Sequence, residues 1–265
     1  MKKYLTVFKT QLQHTLTHRA DFFGYRIANI FEILIQIVVW SAIFGTTQQV
    51  GGYNYSEMIT YIVVGRAFSF FTANFGLEHV IARQIQFGEL SNFIVKPMSY
   101  LKYLVSMSTS RSALGLISAI ITSLILIVIF SNYIIAPQNP ALWLLIIAML
   151  ILGYLTHLFI TILIGFIAFW TVDISGIFFS VKALEKFAAG VYFPLNLLPA
   201  AFVNFSLALP FAYTFYFPIQ LFLGKTTIHD GLIGLAIQIA WLLALYFMIK
   251  GLWRLGLKKY ESVGI

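Results

Sequence analysis

Long apolar stretches alternate with short polar ones along most of this chain. The apolar stretches cover residues 22–44, 58–77, 112–130, 141–170 and 231–253. About 20 apolar residues in a helix, at a rise of about 1.5 Å each, cross the ~30 Å hydrocarbon core of a bilayer. The pattern therefore predicts at least five membrane-spanning helices.

The stretch 177–227 is also apolar, but four prolines divide it: Pro194, Pro199, Pro210 and Pro218. Proline lacks a backbone N–H and interrupts helices, so the pieces between these positions are too short to cross a bilayer. We expect a helix that ends early, followed by a re-entrant helical hairpin over 190–227 on the outer side of the membrane. The whole chain, 1–265, is then a single transmembrane domain of about six spans.

Composition indicates an all-α integral membrane protein. Hydrophobic residues make up 60% of the chain, charged residues make up 10%, and the mean hydropathy is +0.89. A soluble domain of 265 residues cannot bury that much apolar surface. Because hydrocarbon offers the backbone no hydrogen bonds, the spans must be helical. Cysteine is absent, which excludes disulfides, thiolate metal sites and cysteine nucleophiles.

The formal net charge of +8 is distributed in a way that predicts the topology. The turns at 46–57 and 131–140 contain no Lys or Arg and therefore lie outside, and the outer segments together carry only Lys225. The residues assigned to the cytoplasmic side are Lys2, Lys3, Lys9, Arg19, Arg83, Lys96, Lys102, Arg111, Lys250, Arg254, Lys258 and Lys259. Both termini are thus predicted to be cytoplasmic. The positive-inside rule explains the basic balance better than nucleic-acid binding does.

Residues 1–20 have the pattern of an amphipathic helix. Leu5, Phe8, Leu12 and Leu16 share one face, and lysines occupy other faces. Such a helix lies flat in the cytoplasmic interface, with its lysines near anionic lipid headgroups. The alternative is a leader whose positive charge only sets the topology.

The segment 78–111 is the only long interior segment that is dense in charged and polar residues. It must lie in water or at the interface, and its basic balance places it on the cytoplasmic side. Helical spacing before and after Gly88, with an end before Pro97, predicts a short amphipathic helix between two spans. A soluble partner can bind such a helix; the alternative is an ordinary solvated loop.

Two charged side chains lie mid-way along predicted spans, where each charge costs at least about 2.5–3.5 kcal/mol. Glu32 and Arg66 lie at the same depth on consecutive antiparallel helices, which predicts an ion pair. Gln36, one turn above Glu32, extends the polar stripe. The pair either locks two helices together or lines a transport pathway or a dimer seam.

A second charged group consists of Lys182, Glu185 and Lys186, whose helical spacing lets them partly neutralise one another. Two locations fit this group: a vestibule open to the cytoplasm, or the membrane interface. His157, in the fourth span, is interpreted as a hydrogen-bonded packing residue rather than a proton relay. No cluster of His, Asp or Glu has the spacing of a catalytic or metal site.

Two local patterns resemble the permease subunits of type-2 ATP-binding-cassette (ABC) transporters. The stretch Gly88–Leu104, GELSNFIVKPMSYLKYL, is similar to the G-x-L-x-x-x-L-x-K-P pattern of that family. The stretch Phe193–Lys225 is similar to the family's proline-punctuated outer hairpin before the last span. With the interfacial helix and about six spans, the resemblance covers nearly the whole chain. In particular, it resembles the small bacterial subfamily in which two permeases pair with separately encoded ATPases.

The resemblance implies that the insert is a coupling helix, which docks in a groove of an ATPase subunit. Its implied contact residues are Arg83, Gln84, Gln86, Phe87, Glu89, Leu90, Ser91 and Phe93. It also implies two ABC ATPase subunits, a second permease in a homodimer or heterodimer, and a bacterial cytoplasmic (inner) membrane. The sequence has no G-x-x-x-x-G-K-[ST] phosphate loop, so ATP and Mg are expected on the partner ATPase and no cofactor on this chain.

We therefore expect a transport subunit rather than an enzyme: an ABC export permease. The lack of a large outer domain favours a small hydrophobic or amphipathic cargo, drug-like as in multidrug efflux, or a lipid. A polysaccharide or peptide is the alternative cargo. The alternative function is a secondary transporter or channel without an ATPase, which internal repeats or two matching broken helices would favour; we find one broken region.

Overall fold

The computed structural model describes residues 2–17, 19–72, 76–95 and 97–260, and the side chains of all of these except 2, 14–17, 19–29, 114, 118 and 119. The α-helices are α1 (Lys2–Thr17), α2 (Arg19–Phe44), α3 (Tyr55–Thr72), α4 (Leu77–Gln86), α5 (Ser91–Ile94), α6 (Tyr100–Ile129), α7 (Pro140–Phe166), α8 (Ser175–Ala188), α9 (Ala200–Ala208), α10 (Phe211–Thr214), α11 (Tyr216–Phe222) and α12 (Ile228–Lys259). Within the described residues the extended pairing is limited to one isolated bridge, Val50 with Tyr53. The all-α prediction is confirmed.

In the part of the chain that the structure describes, four helical stretches are long and apolar enough to cross a membrane: Tyr55–Gln86, Tyr100–Ile129, Pro140–Phe169 and Ile228–Lys259. Each overlaps a predicted span, and the first contains both α3 and α4. α2 runs for 26 residues through the first predicted span and is apolar over Ile30–Phe44. α8 has 14 residues and is therefore about 21 Å long, shorter than the hydrocarbon core. The number of spans, about six, stays a prediction.

The prolines interrupt the region before α12 as the sequence predicts. Pro199 directly precedes α9, which has 9 residues, and Pro210 directly precedes α10, which has 4. Pro194 precedes a 3₁₀ turn, and Pro218 lies in the first turn of the 7-residue α11. Proline is tolerated in a first turn because the N–H it lacks has no intrahelical partner there. The short pieces are confirmed, whereas a hairpin on the outer side stays a prediction.

The helix α7 lies at the centre of the molecule, with α3, α4, α10, α11 and α12 packed around it. Glycines permit the closest approaches between helices. A Cβ at Gly165 of α7 would lie 2.8 Å from the Cβ of Ile81 in α4, and one at Gly231 of α12 would lie 2.7 Å from Leu145 of α7. These close contacts fix α4 directly on a central helix.

The first helix is packed along the beginning of α6. Ser106 and Ser110, one turn apart in α6, donate hydrogen bonds to the carbonyls of Tyr4 and Phe8, one turn apart in α1, at 2.6 and 2.7 Å. The residue number increases by four on both helices from the first hydrogen bond to the second, so α1 and α6 run in the same direction at this contact. The predicted location of α1, flat at the membrane interface, stays a prediction; its observed partner is the polar start of α6.

A hydrogen-bonded cluster fastens the loop before α3 to the short helices, at the end of the molecule opposite α4. The Tyr53 hydroxyl, fully buried, donates to Asn196 Oδ1 at 3.0 Å and accepts from Gln220 Nε2. Lys225 Nζ lies 2.9 Å from Glu57 Oε1. Burial raises the pKa of Tyr53 well above its ordinary value, so the hydroxyl keeps its proton and remains a donor. We call Tyr53, Glu57, Asn196, Gln220 and Lys225 the loop clamp.

The substitution Tyr53→Phe is expected to destabilise the loop clamp by about 1–2 kcal/mol, because it leaves the Gln220 amide without its buried acceptor. The melting temperature of the purified chain would fall by roughly 2–6 °C. Tyr133→Phe, at a partly exposed ring on the same end of the molecule, is the matched control and is expected to change it less. Equal shifts for the two variants would contradict the role given to the Tyr53 hydroxyl.

Candidate functional site

The predicted docking segment folds into two consecutive helices. α4 ends at Gln86, Gly88 takes a positive φ of 74°, and α5 follows over Ser91–Ile94. Glycine fits this turn because a side chain would strain the left-handed conformation. The Leu90 N–H donates to the Gln84 carbonyl at 2.9 Å and closes the turn. The predicted helical segment with an end before Pro97 is confirmed.

Side chains of α4 bind this segment to the helices around it. The Gln84 Oε1 accepts a hydrogen bond of 2.7 Å from the Tyr100 hydroxyl at the start of α6. Gln86 Nε2 donates to the carbonyl of Val172, between α7 and α8, at 2.6 Å. The His79 ring lies edge-on against Phe178 of α8, with 5.4 Å between centroids. The segment therefore contacts α6, α7 and α8 together.

Aromatic rings extend these contacts to the last helix. Phe93 packs on Tyr103 with 4.5 Å between centroids, and on Tyr100 with 5.3 Å. Tyr100 in turn stacks on Trp253 of α12 at 5.1 Å. The Ser91 N–H donates to the hydroxyl of Tyr260, just after α12, at 3.2 Å. A displacement of α5 would thus press on both α6 and α12.

The implied ATPase-contact residues differ in their exposure. Arg83, Phe87 and Glu89 are exposed, and Phe87 is 66% exposed although it is a large aromatic. Gln86, Ser91 and Phe93 are partly covered by the contacts just described. Gln84 and Leu90 are buried and face the interior of the chain.

Exposed apolar side chains continue this surface beyond the implied set. Ile94 and Val95, exposed by 51% and 80%, follow directly along the chain. We define the α4–α5 surface as Arg83, Phe87, Glu89, Ile94 and Val95. It combines one charge of each sign with three exposed apolar side chains, and two of its residue types, Phe and Arg, are enriched at protein interfaces.

The predicted ion pair between the first two spans is confirmed. Arg66 Nη2 of α3 lies 2.9 Å from Glu32 Oε2 of α2. The Arg66 side chain is 7% exposed and the Glu32 side chain is 31% exposed, so the arginine depends on this carboxylate for its neutralisation. Gln36, one turn further along α2, is partly exposed, and its Nε2 is buried without a hydrogen-bond partner among the described residues.

A second group of charges lies on α8. Glu185 is buried, with Oε2 3.0 Å from Lys182 Nζ and Oε1 2.7 Å from His157 Nδ1 of α7. The hydrogen-bonded packing role expected for His157 is confirmed by this contact.

Just before α8, the Ser175 N–H donates to Asp173 Oδ1 at 2.8 Å, which holds the pKa of this exposed carboxyl below its ordinary value.

Lys186 joins the two groups. Its Nζ lies 3.9 Å from Glu32 Oε1, on the far side of the carboxylate that Arg66 contacts. The sequence gives no sign of this contact, because Glu32 and Lys186 lie on helices that are far apart in the chain. We name the ionic network as Glu32, Arg66, Lys182, Glu185, Lys186 and His157.

The arrangement thus has two parts: the exposed α4–α5 surface, and an ionic network that involves α2, α3, α7 and α8. No curated protein matches this chain in a sequence search. A family model described as "ABC-2 family transporter protein" matches residues 30–264 of the 265-residue chain. That match includes both the α4–α5 surface and the ionic network, and the chain therefore belongs to the ABC-2 family of transporter proteins.

Proposed function

We propose that this chain is the permease subunit of an ATP-driven exporter that moves a small hydrophobic or amphipathic compound out of the cytoplasm or the inner leaflet. As a member of its family it is the membrane subunit of an ABC transporter, and the family associates with ABC ATPase subunits. What we propose beyond this family assignment is the direction of transport, the cargo and the number of subunits.

The α4–α5 surface is the observation that carries the proposal. It presents Phe87 with exposed charges beside it, while Gln84, Gln86 and Phe93 bind the segment to α6 and to the residues before α8. A partner that pushes on the exposed side would therefore move membrane helices and not a loose loop. We assign the docking of two ATPase subunits, one on each permease, to this surface.

We further propose that a second permease covers the faces of α2 and α8. Large apolar side chains are exposed on both helices: Phe31, Leu34, Ile35, Val38, Val39, Ile177, Phe179, Leu184 and Phe187. Glu32 and Lys186 are partly exposed near them. Charges that face lipid are costly, so a second permease, identical or different, is the better neighbour for this region.

The remaining assignments follow from the same proposal. The chain lies in a bacterial cytoplasmic membrane with both termini in the cytoplasm, as the distribution of Lys and Arg indicates. ATP and Mg bind to the partner ATPases, which supply the energy, and this chain supplies the pathway.

Affinity purification of the tagged chain from its native membrane in a mild detergent tests the proposal. We expect a stoichiometric nucleotide-binding subunit, identified by mass spectrometry, and vanadate-sensitive ATPase activity. Mass analysis of the intact complex gives the number of permeases. A chain that is recovered alone, without ATPase activity in any preparation, would contradict the proposal and favour a secondary transporter or channel.

A further inference from the structure

The ionic network holds more positive than negative charge. Among its described side chains there are three cations and two carboxylates, with His157 as a neutral or additional positive group. Arg66 and Glu32 form one close pair at 2.9 Å, and Lys182 and Glu185 form another at 3.0 Å. Lys186 is the cation left over, because the carboxylate nearest to it, 3.9 Å away, already contacts Arg66.

Lys186 is also the most accessible member of the network. Its side chain is 45% exposed, against 24% for Lys182 and 7% for Arg66. Its Nζ lies 5.6 Å from the centre of the Tyr192 ring, a contact that orients an ammonium group without neutralising it. It lies 11 residues, or about 16 Å, along α8 from Ser175. An accessible ammonium group that is bordered by apolar side chains requires a counter-ion.

The surroundings of Lys186 are apolar. Phe179 lies two helical turns before Lys186 on the same face of α8 and is 70% exposed. On α2, Ile35 and Val39 are exposed on the side where Glu32 lies, one and two turns beyond it. An occupant of this region therefore meets a single uncompensated positive charge bordered by hydrocarbon side chains.

We infer that Lys186, supported by Arg66 and Lys182, binds the anionic headgroup of an amphiphile whose apolar tail lies along α2 and α8. This inference rests on the proposed function and names its substrate class: an amphiphile with a phosphate, sulfate or carboxylate group. A second identical permease on this face brings a second Lys186, which increases the positive charge and does not neutralise it. An anionic ligand bound beside Lys186 reduces that charge, and each copy has room for one such ligand by the same argument.

Native mass spectrometry of the full chain, released from a neutral polyoxyethylene detergent, tests the inference without any ATPase. The probes are dodecyl phosphate, dodecyltrimethylammonium and inorganic phosphate. We expect dodecyl phosphate to bind at least about tenfold more tightly than dodecyltrimethylammonium, the factor that one charge-assisted hydrogen bond provides. We expect it also to bind more tightly than inorganic phosphate, which has no apolar tail to bury. Lys186→Gln is expected to lose about this factor, and Lys186→Arg to retain most of it.

Lys250→Gln, at an exposed lysine of α12, is the matched control and is expected to bind dodecyl phosphate like the unchanged chain. Equal binding of the anionic and cationic amphiphiles by the unchanged chain would overturn the inference, whatever the variants do. If inorganic phosphate binds as tightly as dodecyl phosphate, the apolar tail contributes nothing to binding. This result would overturn the inference that the ligand is an amphiphile and would indicate a simple anion site. Because no ATPase is present, a failure here is distinct from a failure of the exporter proposal, which the purification tests.

Discussion

The substitution Glu32→Gln is expected to cost about 3 kcal/mol of stability, the largest loss for a single conservative change in this chain. Glutamine keeps the shape of the side chain but removes the charge that faces Arg66 on one side and Lys186 on the other. Arg66 is then a buried cation without a counter-ion, with a second cation nearby. The melting temperature of the purified chain would fall by roughly 5–10 °C.

Two further variants separate loss of the ion pair from loss of the side chain. In Glu32→Gln/Arg66→Gln neither buried charge remains, so this double variant is expected to recover much of the stability that the single variant loses. Glu57→Gln breaks the ion pair with Lys225 at the solvated end of the molecule and is expected to cost less than about 1 kcal/mol. A double variant no more stable than Glu32→Gln would contradict a paired role for Glu32 and Arg66.

Features that depend on one helix alone could be predicted from the sequence. The length of the apolar stretches predicts α3, α6, α7 and α12, because the bilayer thickness fixes how long a span must be. The prolines predict the short helices α9 to α11, because proline limits a helix wherever it packs. The Glu32–Arg66 pair could also be predicted, since equal depth on adjacent antiparallel helices brings side chains together.

Features that depend on contacts between distant helices could not be predicted in this way. Gln84 is polar, like its neighbour Arg83, yet it is buried, and the Tyr100 hydroxyl donates a hydrogen bond to its amide oxygen. The contact of Lys186 with Glu32 depends on how α8 packs against α2. The course of α1 beside α6 depends on hydroxyl groups of α6 that have no special pattern in the sequence.

The helix α4, which carries part of the α4–α5 surface, is connected to the ionic network through α8. His79 of α4 packs on Phe178, and one to two turns further along α8 come the network residues Lys182, Glu185 and Lys186. A shift of α4 under a docked ATPase would therefore tilt α8 and change the distance between Lys186 and Glu32. In the proposed exporter, such a change would weaken the hold on an anionic headgroup in one state and strengthen it in the other, and would thereby couple ATP use to release of the cargo.

The substitution Phe87→Ala is expected to weaken docking of the ATPase by about 2 kcal/mol or more, roughly thirtyfold in Kd. Large aromatics that are exposed in the free chain and buried by a partner contribute most to binding, and Phe87 is the exposed aromatic of the α4–α5 surface. Recovery of the ATPase with the tagged variant, at a series of detergent washes, measures the loss. The melting temperature of the permease alone should change little, because the Phe87 side chain is largely in solvent.

Leu255→Ala is the matched control, since Leu255 is 57% exposed near the end of α12 and lies outside the defined surface. It is expected to retain the ATPase. Phe93→Ala is expected to differ from Phe87→Ala in its effect on stability. Because the Phe93 ring packs on Tyr103 and Tyr100, its removal should lower the melting temperature as well as weaken docking. Normal ATPase recovery and normal coupled turnover with Phe87→Ala would show that the partner binds elsewhere, because truncation of a central aromatic in a true docking surface cannot leave both unchanged.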